Sequence, residues 1–279
     1  MDTTALTKDT TLCISLAGRP SNVGTRFHNH LYGQLGLDFV YKAFTTTDLP
    51  SAVAGIRALG IRGCGVSMPY KQDVIALVDS MDDSARAISS VNTLVNTDGH
   101  LRAYNTDYLA IASLLRTHNV STDLPFVVLG SGGMARAVVA ALRDSGFGRG
   151  AVVARNETTG RPLAEEYGFS WLGSAGSQRP GLVINATPVG MAGGPDSDGL
   201  PIAPEVIDSA EVVFDVVAMP ARTPMVQRAQ ARGATVITGA EVQSLQAAEQ
   251  FVLYTGIRPS DEQVREAAVF SRATQVSAE

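Results

Sequence analysis

The stretch PFVVLGSGGMARAVVAALRDSG, residues 125–146, decides the fold. Phe126–Leu129 is a continuous apolar run, the pattern of a strand buried on both faces of a parallel sheet. Gly130-Ser131-Gly132-Gly133-Met134-Ala135 follows as a turn, and a helix-patterned run carries on to Gly146. Strand, glycine turn and helix in that order make a phosphate cradle. Glycine permits a tight turn and lets a pyrophosphate approach the main chain, while the helix start offers free N–H groups and the positive end of its dipole. Gly130 and Gly132 fill the first two positions of the G-x-G-x-x-G/A dinucleotide fingerprint, and Ala135 the third.

Downstream, GAVVAR (150–155), GLVINAT (181–187), AEVVFDVV (210–217) and ATVITG (234–239) read as further strands with helices between several of them. This alternation predicts a Rossmann-type domain. A site for NAD would place Asp or Glu at the end of the second strand to take the ribose 2′-OH. Here Ala154-Arg155-Asn156 stands there, about 24 residues after the first glycine. The planar fork of an arginine suits a 2′-phosphate, so the expected cofactor is NADP. Asn185, Thr187 and Pro188, in NATPVG, end another strand, where ligands of open parallel sheets bind.

Upstream, a first βα series runs through TLCISLAG (11–18), a helix over 26–36, DFVYKAF (38–44), a helix over 49–60 capped by Asp48, and CGVSM (64–68) stopped by Pro69. VNTLVNTDGHLRAYN (91–105) breaks the rhythm, with Asp98-Gly99 as a hairpin turn. The C-terminal 40 residues are helical by pattern. The chain reads as an N-terminal α/β substrate domain (1–107), an NADP-binding Rossmann-like domain (108–240), and C-terminal helices (241–279) that return to the first domain. The first boundary is expected inside a helix after Asn105-Thr106-Asp107.

Composition narrows the function. The chain has 279 residues, 45% hydrophobic and 18% charged, with 22 Lys+Arg against 27 Asp+Glu for a net charge of −5. A nucleic-acid binder with a broad basic face is excluded. Two cysteines cannot build a four-cysteine zinc site or a disulfide framework, and no metal is expected. Cys13 and Cys64 fall in strands and read as buried free thiols of a cytoplasmic protein. No run reaches the 18–20 apolar residues of a membrane span, and the start lacks the pattern of a secretory signal. His28 and His30 lie two apart on a helix and make no metal pair.

Polar groups gather at element ends: Ser67 and Lys71 after the third strand, Asn92 at the start of the hairpin, Asp107 at its close. A lysine beside a carboxylate can hold a developing alkoxide and shuttle its proton, which is what reduction of a ketone by hydride requires.

Gly18-Arg19-Pro20, Ser67-Met68-Pro69-Tyr70-Lys71, Val91-Asn92-Thr93, Asn105-Thr106-Asp107, GSGGMARA, NATPVGM and Gln246-Ala247-Ala248 occur in the order seen in shikimate dehydrogenases. The chain resembles that family over nearly its whole length. AGRPSNVGTRFHN (17–29) and RAYNTDY (102–108) resemble its shikimate dehydrogenase-like branch. The resemblance implies a two-domain oxidoreductase that interconverts 3-dehydroshikimate and shikimate with NADP, in aromatic amino acid biosynthesis. It implies Lys71 and Asp107 as the catalytic pair, with Asn92, Gln246 and Ser67 at substrate hydroxyls. It implies Arg155 at the 2′-phosphate, and a small-molecule hydroxy acid as the partner of a monomer or homodimer.

Two departures bear on substrate. The family's S-x-S-P loop, which binds the acid's carboxylate, is here the shorter Ser21-Asn22-Val23-Gly24-Thr25, so Ser21, Asn22 and Thr25 are the candidate donors. The family's D-x-x-Y is Asp215-Val216-Val217-Ala218, without the tyrosine. The expectation is slower turnover of shikimate than in the main branch. Quinate or an aminoshikimate as substrate, and an NADPH-binding sensor with little turnover, are the rival readings.

Overall fold

The computed structural model describes residues 6–176 and 178–273. They divide into two compact units, one running to Thr106 and resuming at Ser244, the other spanning Asp107–Gln243. Both transitions fall within helices.

The first unit holds β1 (Thr11–Leu16), α1 (Asn22–Gln34), β2 (Phe39–Phe44), α2 (Leu49–Ala58), β3 (Gly63–Val66), a 3-10 turn (Asp73–Leu77), β4 (Ser80–Met81), α3 (Asp83–Arg86), β5 (Thr93–Thr97) and β6 (His100–Tyr104). Its sheet runs β2-β1-β3-β5-β6-β4. The β2-β1-β3 side is parallel, and β5 and β6 turn antiparallel. The reason is the hairpin: Asp98 and Gly99 have φ of 52° and 86°, the pair of positive values that a two-residue turn matching strand twist requires. One face buries Leu16, Val53, Ile56, Val66, Leu94 and Leu101. The other packs α1 and the helices α9 (Gly239–Thr255) and α10 (Asp261–Arg272), through Phe27, Leu31, Tyr41, Phe251 and Tyr254. The C-terminal helices thus complete this unit, as the sequence predicted.

The second unit begins in α4 (Thr106–Thr117) and contains β7 (Phe126–Leu129), α5 (Gly133–Asp144), β8 (Gly150–Val153), α6 (Glu157–Glu166), β9 (Ser170–Leu172), β10 (Leu182–Asn185), α7 (Pro204–Asp208), β11 (Val212–Asp215), α8 (Pro224–Ala231) and β12 (Thr235–Thr238). All six strands are parallel in the order β12-β11-β10-β7-β8-β9. Counted within the unit this is 6-5-4-1-2-3, the Rossmann order, whose crevice lies where strand order reverses, here between β7 and β10. No described helix is long and apolar enough to cross a membrane.

Three local readings are corrected. The first helix starts at Asn22, not Arg26, so most of the presumed loop is its opening turn. The third strand ends at Val66, because Tyr70 donates its N–H to the Ser67 carbonyl and closes a turn around Met68-Pro69, a cis bond. The short strands β4 and β9 were not foreseen, since two or three residues carry no readable period.

Candidate active site

In the second unit a cavity of about 870 Å³ opens outside the carboxyl ends of β7, β8 and β10. Gly130, Ser131, Gly132, Arg155, Thr187 and Pro188 line it, together with Gly173 and Ser174 after β9. Gly130 has φ of 106°, and a side chain there would meet the Ala186 carbonyl at 3.0 Å. Only glycine fits, and it brings bare main chain to the cavity floor. Ser131 shares a 2.7 Å hydrogen bond with the Thr159 hydroxyl and so ties the glycine turn to α6. Arg155 is exposed, with no partner among the described residues. The turn that carries it is pinned from below: Trp171 Nε1 donates to the Ala154 carbonyl at 3.1 Å, and Arg161 lies 4.7 Å over the indole. An open main-chain cradle beside an available guanidinium suits a dinucleotide with a 2′-phosphate.

The other expected cofactor residues act differently. Gly133 and Met134 open α5, and Ala135 is fully buried against the sheet, the close helix packing that the fingerprint's third position needs. Asn185 corrects the expectation of a lining residue: it is fully buried. Its Nδ2 donates to the Val189 carbonyl and to Asp215 Oδ1, and its Oδ1 accepts from the Thr187 N–H and hydroxyl. Asp215 also accepts from the Thr223 hydroxyl at 2.6 Å and the Val217 N–H, while burial holds its carboxyl above the usual range. Asn185 and Asp215 hold the two loops rather than a ligand.

In the first unit Asn92 organises the polar groups. It is 2% exposed. Its Oδ1 accepts from the Thr93 hydroxyl (2.8 Å), the Thr106 N–H (2.9 Å) and the Thr106 hydroxyl (3.1 Å). The Thr106 amide can only donate, so the oxygen end of the carboxamide is fixed. Its Nδ2 is buried without a partner. A buried donor in that state costs on the order of 1–3 kcal/mol, which a ligand oxygen would recover. The preceding residue, Val91, donates its N–H to the Lys71 carbonyl, which brings the main chains of Lys71 and Asn92 side by side. Lys71 is partly buried, Ser67 exposed and Gln246 partly buried on α9. Asp107 directly follows Thr106 in the first turn of α4.

The carboxylate candidates sit at the head of α1. Ser21 is its N-cap, and the hydroxyl makes no capping bond, so it stays available. Asn22 and Thr25 lie in the following turn. Arg26 is engaged elsewhere: its guanidinium donates to the Phe270 carbonyl and lies 4.2 Å over that ring. Beneath, His28 is fully buried and stacks on Tyr41 at 4.4 Å. Neither of its ring nitrogens has a partner. Burial holds the imidazole down to about 3, with the nearby Gln250 carboxamide opposing in part.

The shikimate dehydrogenase substrate binding domain matches residues 22–94. The shikimate dehydrogenase-like protein of Haemophilus influenzae is 53% identical over 267 residues, covering 96% of this chain and 98% of that protein.

The chain belongs to the shikimate dehydrogenase family.

It is an oxidoreductase of that family. Among solved structures, a shikimate 5-dehydrogenase-like protein superposes with a TM-score of 0.94 at 53% identity, over 96% of this chain and 99% of its own. The Thermus thermophilus shikimate 5-dehydrogenase in complex with NADP(H) and shikimate gives 0.84 at 29%, over 94% and 99%. A Corynebacterium glutamicum quinate dehydrogenase in complex with NAD gives 0.84 at 26%, over 92% and 98%.

Sequence reading missed Thr93, Thr106 and Gln250 as partners of Asn92. A glutamine in the apolar run AAEQFVLY was the available signal, since such a residue is buried and needs partners.

Proposed function

We propose that this protein is an NADP-dependent oxidoreductase that interconverts shikimate and 3-dehydroshikimate. The observation that carries the reading is Asn92 Nδ2, a buried donor with no partner and a fixed direction, just before β5 in the segment that pairs with Lys71.

NADP, when bound, accepts the hydride from the carbon that carries the reacting hydroxyl. Main-chain amides after Gly130 hold its pyrophosphate and Arg155 its 2′-phosphate. Lys71 hydrogen-bonds the reacting oxygen and exchanges a proton with it, giving the proton up as the carbonyl is reduced and taking it back as the hydroxyl is oxidised, and Asp107 fixes that hydroxyl and the lysine in one geometry. Asn92 Nδ2 donates to a neighbouring ring hydroxyl, and Ser67 and Gln246 hold others. Ser21, Asn22 and Thr25 supply the donors for the carboxylate. Their helical setting at the head of α1 differs in reach from a hydroxyl-bearing loop, so the ring is held less closely to the hydride path. A misplacement of about 1 Å costs on the order of 100-fold in rate. Two buried free thiols, Cys13 and Cys64, suit a reducing cytoplasm.

Initial rates with shikimate, quinate and related cyclic acids, each with NADP and with NAD, test the reading. Shikimate with NADP should be the best pair, and slower than a main-branch family member assayed alongside. A higher kcat/KM on quinate would move the protein to that substrate, which the quinate dehydrogenase similarity supports as second reading. No turnover of any cyclic acid, with NADPH still bound, would make it a sensor.

A further inference from the structure

Gln250 lies on α9, 6% exposed, and takes no part in the chemistry above. Its Nε2 donates to the Asn92 main-chain carbonyl at 3.1 Å and to the Thr93 hydroxyl at 2.9 Å. The carbonyl accepts only, so Nε2 rather than Oε1 faces it. That carbonyl's other hydrogen bond comes from the Val66 N–H at 2.7 Å. The second Gln250 N–H then occupies the Thr93 oxygen, and the Thr93 proton is left to Asn92 Oδ1, 2.8 Å away. At the far end the Thr106 N–H meets the same Oδ1. The direction of every proton in this chain is fixed by a main-chain group at each end. Asn92 can satisfy it in one way only, with Oδ1 inward and Nδ2 unpartnered.

The packing keeps the relay in register. Gly65 is the β-ladder partner of Thr93. A Cβ at Gly65 would stand 3.4 Å from Gln250 Nε2 and 2.8 Å from the Tyr41 hydroxyl, so glycine leaves the space through which α9 reaches the strand.

We infer that Gln250 and Thr93 are positioning residues that fix the Asn92 carboxamide with its N–H pair toward a substrate hydroxyl. They set the affinity for the hydroxy acid without touching it. This rests on the reading of Asn92 as a substrate-binding donor.

The test compares Gln250→Met and Thr93→Val, which keep volume and remove the relay, with Thr93→Ser, which keeps the hydroxyl. With shikimate and NADP, each of the first two should raise KM for the acid about tenfold, the size of one neutral hydrogen bond. KM for NADP should stay within about twofold, as it should for a site in the other unit. The double variant should be no worse than either single one, because both cut the same chain. Thr93→Ser should behave as wild type. An unchanged KM for the acid in a folded Gln250→Met protein, or additive losses, would overturn the inference.

A second readout does not need turnover. In ¹H–¹⁵N spectra the Asn92 side-chain NH₂ pair, identified by its loss in Asn92→Asp, should be one sharp pair in wild type. It should shift or broaden in Gln250→Met and not in Thr93→Ser. If wild type turned over no cyclic acid, the proposed function would fall while this spectrum still decided the positioning role. If the pair were identical in wild type and Gln250→Met, the positioning role would fall whatever the activity.

Discussion

The cavity of the second unit and the Asn92 cluster of the first are built from different material. The polar part of the cavity combines the main chain of the glycine turn, Gly130 to Gly132 at the start of α5, with one exposed guanidinium, Arg155. The Asn92 cluster is built of side chains, from residues 92, 93, 106 and 250, joined by hydrogen bonds among buried groups and anchored at its ends by the Asn92 carbonyl and the Thr106 N–H. A main-chain site tolerates side-chain changes outside its obligatory glycine, Gly130, because its donors belong to the backbone. A side-chain site loses its geometry with any one member.

Substitutions should reproduce this asymmetry. The largest effect belongs to the reacting pair. Lys71→Ala and Asp107→Ala should each lower kcat at least about 100-fold, the low end for positioned acid–base groups. Steady-state rates on folded variants check this, and near-wild-type turnover by both would remove them from the mechanism.

The exception within the main-chain site comes next. Arg155→Ala should weaken NADP binding by roughly ten- to a hundredfold, as expected for a lost charge-assisted contact of about 1.5–3 kcal/mol, and NAD far less. Titration with both cofactors decides it. Equal losses would take Arg155 away from the 2′-phosphate.

A smaller effect is expected at the head of α1. The double change Ser21→Ala with Thr25→Ala should raise KM for the acid about tenfold and leave NADP binding alone. If acid binding does not change, the carboxylate is held by Asn22 and main-chain amides instead.

The smallest concerns stability of the first unit. Buried His28 is held near 3, below its ordinary 6.5, so the unfolded chain binds the extra proton first as pH drops. Its contribution is complete above about 6.5 and is lost as pH falls toward 3. Between about pH 6.5 and 5.5 the melting temperature of wild type should fall more than that of His28→Phe, by on the order of a few °C. Parallel curves would show that His28 is not the group responsible.

The same contrast governs what could be read from the chain alone. The cofactor cradle is contiguous, so Gly130, Gly132 and Ala135 announced it, and Arg155 followed one strand later. The hairpin was legible for the same reason, since Asp98-Gly99 is a local instruction. The Asn92 relay was not legible, because Thr93 and Gln250 are 157 positions apart and nothing local marks their meeting. Asn185 misled for a related reason. It stands where ligands bind, but the buried Asp215 claims its amide, and that pairing spans 30 positions. The head of α1 escaped because Val23-Gly24-Thr25 has poor helix propensity, which the packing of Phe27 and Leu31 beneath α10 overrides.

Trp171 is the sole tryptophan of the chain. Its indole N–H rests on the carbonyl just before Arg155, and a guanidinium covers its ring. Indole emission responds to both the hydrogen bond and the neighbouring charge, and no second tryptophan dilutes the signal. The protein therefore carries its own optical probe beside one ligand and none in the other unit. Fluorescence follows the loop that carries Arg155 by itself, without a label and without a contribution from tryptophan in the first unit.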